Sequence, residues 1–276
     1  MAMTRPGDFE AGLPASAEAG SANGPGPTLA DGVAEAQRLV TALQQESLTL
    51  RLLGGLAVRL RCPSARHRSL ARSYADLDFV APKKQARPLR VALEANGYVA
   101  DRRFNALHGE RRLLFYDQVQ QRQVDIFLSV FEMCHRLVLE PRLQLHPLTL
   151  SPADLLLTKL QIVELNAKDI QDLLALLLDF PPQEAAANPG EQLDMRIVTQ
   201  VCAHDWGWYT TVTDNLQRVA QEAGQLLPAE KAALVQRHIE EMLRLLDQAP
   251  KSSAWKLRAL VGRRLQWYEL PEEVHR

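Results

Sequence analysis

Three aspartates and a glycine pair carry the strongest chemical signal in the chain. Asp76 and Asp78 lie in the run Asp76-Leu77-Asp78-Phe79-Val80, and Asp125 lies in Gln123-Val124-Asp125-Ile126-Phe127-Leu128. Strand side chains alternate between faces, so on a strand Asp76 and Asp78 share a face while Leu77 and Phe79 share the other. Neighbouring carboxylates repel unless a cation neutralises them, and hard divalent ions such as Mg²⁺ prefer such oxygen donors. A solvated strand end is the alternative for this pair. Asp125 interrupts an apolar run that reads as a central strand, where an unpaired carboxylate is costly to desolvate. It either joins the first two acids at a shared ion or pairs with an arginine. Gly54-Gly55 follows the apolar Leu52-Leu53 and precedes Leu56-Ala57-Val58. Glycine lets backbone approach a ligand, and a helix N-terminus offers free N–H groups, which together suit a triphosphate. A tight turn would use the same two glycines.

These residues need a scaffold, and the local patterns predict one. A helix is expected from about Thr28 to Glu46, then a strand over Leu48–Leu53 and a helix from Leu56. A strand is expected over Asp76–Val80, stopped by Pro82, followed by a helix over residues 83–96 that ends at Asn96-Gly97. Arg111–Tyr116 and Gln123–Leu128 flank Asp117-Gln-Val-Gln-Gln and read as a hairpin. A further short strand covers Arg136–Leu139. Ser151-Pro152 starts a helix with a serine cap and proline in its first turn. A second helix runs from about Lys168 to the Phe180-Pro181-Pro182 stop. Helices are then expected near 192–204, 207–224, 228–248 and 253–267. The fold class is therefore α+β: a small mixed or antiparallel sheet flanked by helices, followed by a C-terminal helical region. Residues 1–27, with 5 of the 14 glycines and 4 of the 16 prolines, read as a disordered tail. The core spans 28–182, and 192–276 forms a helical domain.

Composition bounds the function. The 276 residues carry a formal net charge of −1, and no apolar run reaches the roughly 18 residues that a membrane span requires. Cys62, Cys134 and Cys202 are too dispersed for a disulfide framework, so a reducing, cytoplasmic setting is expected. The 7 histidines show no zinc-enzyme spacing. Charge is unevenly placed: residues 51–112 hold 14 Lys/Arg and 5 Asp/Glu, a balance of +9. That predicts a basic patch or cleft beside the candidate chemistry, or else a set of solvated surface arginines. Trp206-Gly207-Trp208-Tyr209 could stack a base or pack between helices.

The order strand, Gly-Gly, helix, Asp-x-Asp on a strand, then a lone Asp on a later strand resembles the nucleotidyltransferase superfamily of the DNA polymerase β type. Within it the match is strongest to the abortive-infection (AbiEii-like) toxin nucleotidyltransferases, over about residues 48–180. The residues that carry the resemblance are Gly54-Gly55-Leu56-Ala57-Val58-Arg59-Leu60 and Arg72-Ser73-Tyr74-Ala75-Asp76-Leu77-Asp78-Phe79. Ser151-Pro152-Ala153-Asp154 through Lys159 and Lys168-Asp169-Ile170-Gln171-Asp172 extend it. The chain departs from the family pattern in the 20 residues between Gly55 and Asp76, in Tyr74 where serine is usual, and in Lys168 where arginine is common.

The resemblance implies a nucleotidyltransferase sheet and transfer of a nucleoside monophosphate from a nucleoside triphosphate such as ATP to an acceptor hydroxyl. It implies Asp76 and Asp78 as ligands of two Mg²⁺ ions. Asp125 would be a ligand of one and the group that helps deprotonate the acceptor. Gly54, Gly55, Arg72, Lys159 and Asp172 would form the nucleotide site, with Lys159 a catalytic phosphate contact. An RNA or tRNA end fits the basic segment as acceptor, and a toxin of this kind would have an antitoxin partner. The alternatives are a small-molecule adenylyltransferase of the aminoglycoside type and a nucleotide-binding module without turnover.

Overall fold

The computed structural model describes residues 28–270; the expected N-terminal tail lies outside them. The chain begins with α1 (Gly32–Gln45), whose first turn is closed by Asp31 accepting from the Ala34 N–H at 2.8 Å. β1 (Arg51–Leu53) runs straight into α2 (Gly54–Arg61). β2 (Leu77–Ala81), α3 (Ala86–Ala95), β3 (Val99–Ala100) and α4 (Arg102–His108) follow. β4 (Arg112–Asp117) and β5 (Arg122–Leu128) form the expected hairpin, its turn fixed by Asp117 accepting from the N–H groups of Val119 and Gln120. β6 (Val130–Glu132) and β7 (Arg136–Val138) make a small second hairpin.

The five-stranded sheet has the order β1-β2-β5-β4-β3. β2 and β5 pair in parallel, and the other neighbours are antiparallel. β5 is the central strand and buries all but one of its residues, which explains the nearly unbroken apolar run around Asp125. On the outer side of β1 the chain returns at Leu148–Leu150, with Leu52 donating to the Leu148 carbonyl and accepting from Leu150. This contact delivers the chain to the start of α5 (Pro152–Leu160) beside β1 and α2. The expected serine cap is present: Ser151 accepts from the Asp154 N–H at 3.1 Å. α6 (Ala167–Asp179) opens with a capping box between Asn166 and Asp169.

Two short strands, β8 (Pro182–Gln183) and β9 (Leu193–Asp194), pair across the linker. The helical region is α7 (Met195–His204), α8 (Trp206–Leu226), α9 (Ala229–Gln248) and α10 (Ser253–Val261). One apolar core runs from Ala36 through the sheet to Leu246, so the helical region supports α5 and α6 from behind. Asn215 of α8 donates to the carbonyls of Leu160 and Ile162, tying off the C-terminus of α5. Among the described residues no helix is long and apolar enough to cross a membrane.

The elements differ from expectation where local chemistry intervenes. The first strand contracts to three residues, because the Leu48 N–H goes to the Leu43 carbonyl and the Thr49 N–H to the Gln85 side chain instead of to the sheet. The last helix ends at Val261 because Gly262 sits at φ 59°. α4 was not expected; Asp101 caps it by accepting from the Phe104 N–H at 2.8 Å.

Candidate functional site

The sheet register brings the acids together. Asp78 on β2 stands directly opposite Asp125 on β5, so both side chains project from the same face. Leu53, the last residue of β1, is the partner of Asp78 on its other side, and the chain turns there into α2. Gly54 makes that turn possible in two ways. Its φ of 71° is in the left-handed region, and a Cβ on it would overlap the Asp78 carboxylate. The N-terminal N–H groups of α2 thus start beside Asp78. Gly55 is crowded from the other side, since a Cβ there would overlap the Arg72 guanidinium and press on Tyr74.

The electrostatics record the crowding. Burial and then the charge of Asp125 raise the Asp78 carboxyl to about 7; Asp76 adds to this, while Lys159 and Arg112 pull the other way. Asp76, just ahead of β2, is therefore near enough to act on Asp78. Asp125 is engaged. Arg112 on β4 donates from Nε to one of its oxygens at 2.6 Å, and Gln123 donates to the other at 2.6 Å. The Arg112 guanidinium in turn lies 5.0 Å from the Phe127 ring centre and 5.7 Å from that of Phe104.

A second cluster closes the site on the helix side. Asp172 of α6 takes both Nε and Nη2 of Arg72, at 3.1 and 2.7 Å, and the Lys159 ammonium at 2.9 Å. Lys159 also meets Asp169 at 3.0 Å. Burial works to lower the Lys159 pKa, but Asp172 and Asp169 outweigh it and hold it above its ordinary value. Arg72 stacks on Tyr74, 4.2 Å from the ring centre. Every residue singled out from sequence is thus gathered around the start of α2: Gly54, Gly55, Arg72, Asp76, Asp78, Asp125, Lys159 and Asp172. Asp169 acts twice, as the partner of Asn166 in the capping box of α6 and as a tether for Lys159.

The donor set suits a hard divalent cation in kind, being all carboxylate oxygen. It does not close round an ion unaided. Among the described residues no three acidic, histidine or cysteine side chains meet closely enough to enclose a metal. Arg112 was missed in the sequence; its signal is the hairpin register, which sets it opposite Phe127, two residues from Asp125.

Part of the basic segment is internal. Arg51 donates to the Leu143 and Leu50 carbonyls, Arg61 pairs with Glu191, and Arg72 and Arg112 serve the two acids above. The exposed cations that remain include Arg66, Arg68, Lys83, Lys84, Arg87, Arg102, Arg103 and Arg111. The Trp206–Tyr209 cluster packs: Trp208 lies against His135, and Tyr209 against Trp255.

No protein-family model and no curated protein matches the chain. Among solved structures it is similar to JHP933 from Helicobacter pylori, at 13% identity and a TM-score of 0.37, over 84% of this chain and 97% of that one. It is similar also to a "putative nucleotidyltransferase from H. pylori", at 13% identity and a TM-score of 0.38, over 80% of this chain and 97% of that one. Likeness at that level does not extend to activity.

Proposed function

We propose that the chain is a metal-dependent nucleotidyltransferase that moves a nucleoside monophosphate from a nucleoside triphosphate to an acceptor hydroxyl. The observation that carries this reading is the Asp78–Asp125 register pair set against the Gly54 turn. Backbone N–H groups at Gly54 and Gly55 would line the triphosphate. Lys159, fixed by Asp169 and Asp172, presents a point charge to a phosphate oxygen. Asp76 and Asp78, with Asp125 at the edge, would hold Mg²⁺, which when bound neutralises charge on the attacking and leaving oxygens. In the transfer the acceptor oxygen bonds to the α-phosphorus, the bond from that phosphorus to the bridging oxygen breaks, and pyrophosphate leaves. The hydroxyl proton passes to Asp125.

One observation favours a second reading. The Arg112–Asp125 pair satisfies the third acid without a metal, as a nucleotide-binding module without turnover would require. Labelled ATP, CTP, GTP and UTP incubated with Mg²⁺ and total RNA separate the two. Label entering RNA, and lost in Asp76→Ala and Asp125→Ala, supports transfer. Nucleotide binding with no label transferred to RNA or to a panel of small hydroxyl acceptors supports the second reading.

A further inference from the structure

Beside Asp125 a cleft of about 830 Å³ opens between the sheet face, α4 and the β6–β7 hairpin. Phe104, His108, Arg111, Arg112 and Phe127 line it on the side of α4 and the sheet. Arg112 joins the cleft to the site. It is 28% exposed where Asp125 is 4% exposed, so it forms a wall between the buried acid and the open space. Among the described residues only its Nε donates a hydrogen bond; neither terminal nitrogen does. A planar guanidinium held at Nε and by two aromatic rings, with neither terminal nitrogen hydrogen-bonded, is a preoriented fork for an oxyanion.

Resting on the transferase reading, we propose that this cleft is the acceptor subsite and that it takes the end of a single-stranded RNA. Arg112 receives an acceptor phosphate on its terminal nitrogens while its Nε keeps Asp125 in place. One side chain thereby sets the distance between the acceptor hydroxyl and the acid that takes its proton. Phe104, which packs against His108 with ring centres 4.8 Å apart, offers a stacking surface for a base. Arg102, Arg103 and Arg111 stand exposed on and beside α4, along the approach. The cleft's carboxylates are set apart from its Asp125 end: Glu110 meets Lys83 at 3.5 Å, Glu140 accepts from the Ser129 hydroxyl, and Glu132 and Glu269 line both this cleft and a second cavity with His135, Trp267 and Tyr268. At the end nearest Asp125 the cations are Arg111 and Arg112, which favour a phosphate there over a polycationic small molecule.

The test uses the full chain and a short labelled oligoadenylate as probe, with binding read by fluorescence anisotropy and no turnover required. Loss of one bidentate phosphate contact should weaken oligoadenylate binding by about tenfold or more in Arg112→Ala. Arg112→Lys should restore only part of it, Phe104→Ala should weaken it independently, and kanamycin should not compete. ATP affinity with Mg²⁺, measured on Phe104→Ala by calorimetry, should stay within about twofold, because Phe104 meets the site only through the Arg112 guanidinium. Unchanged oligoadenylate binding in both Arg112 variants, or kanamycin binding tighter than the RNA, overturns the proposal and leaves the transferase reading standing. Failure of the wild-type chain to bind ATP or to transfer any label overturns the transferase reading instead, while the anisotropy series still decides the subsite.

Discussion

Asp172 holds the helix side of the site together, and its removal has a calculable consequence. Its carboxylate is 2% exposed and accepts three charge-assisted contacts, two from Arg72 and one from Lys159. Asp172→Asn keeps the shape and one acceptor oxygen but removes the charge. Breaking a buried pair from one side costs roughly 3–5 kcal/mol, because the partner stays buried and uncompensated. Here the loss is softened. Lys159 retains Asp169 at 3.0 Å, and Arg72 retains the Ser73 carbonyl at 3.2 Å and its stack on Tyr74. The expected destabilisation is therefore near the lower bound, about 3 kcal/mol, and a chain of this size should melt about 6–12 °C lower. Urea unfolding of wild type, Asp172→Asn, Arg72→Met and the double variant measures it. The double variant should be less destabilised than the sum of the singles by about 1–2 kcal/mol, since removing both partners leaves no orphaned charge. A loss below about 0.5 kcal/mol in Asp172→Asn, or additive effects in the cycle, would refute the claim that this ion cluster braces the site.

Further outcomes follow from other parts of the structure. Gly54→Ala should destabilise by about 1–3 kcal/mol from backbone strain, more than Gly55→Ala, whose Cβ meets only movable side chains; parallel thermal melts compare them. Asp78→Asn should be more stable than wild type in chelator at pH 8, by about 1–2 kcal/mol, because it removes a charge disfavoured first by burial and then by Asp125; equal or lower stability by urea unfolding would count against that account. Burial lowers the His135 pKa to about 4, with its Nε2 beside the Thr211 hydroxyl at 2.8 Å. The unfolded imidazole titrates near 6.5, so the unfolded chain binds more protons between the two values, and stability falls as pH drops through that window. The fall between about pH 6.5 and 5 should be about 1.6 kcal/mol and should be largely absent in His135→Asn; parallel curves for the two chains would sink the assignment.

How much of this was legible in the sequence depends on how local the physics is. Gly54 was legible as a turn, because a strand that runs into two glycines before a helix changes direction there, although a turn and a phosphate cradle use the same two residues. Asp125 was legible because an acid inside an apolar run must have a partner, although the run does not say which. The structure supplies both candidates at once: Asp78 stands across the register, and Arg112 holds the carboxylate. Arg112 was illegible because Arg111 beside it looks the same in sequence. Only the hairpin register, which pairs Arg112 with Phe127, turns one arginine inward and leaves the other exposed. α4 was illegible for a related reason. Seven residues with two arginines give too short a period to detect, and the helix depends on its Asp101 cap.

The same distinction changes what the basic segment means. A summed charge of +9 over residues 51–112 treats all its cations alike. The fold divides them. Arg51 and Arg61 tie the return of the chain at residues 143–150 and the linker at Glu191 to the sheet and α2. Arg72 and Arg112 each fix an acid of the site. Arg51, Arg61 and Arg72 are conditions of the architecture, and removing them tests stability before it tests binding; Arg112 also lines the open cleft. The exposed set falls in two places, Arg66 and Arg68 beyond α2, and Lys83 through Arg111 around α3 and α4. Salt dependence of oligoadenylate binding should therefore flatten when Arg102 and Arg103 are replaced by glutamine, with each lost phosphate contact lowering the slope by about 0.7 for a single strand. An unchanged slope would mean that the second group never meets the ligand, and that the charge asymmetry of the sequence has only a structural origin.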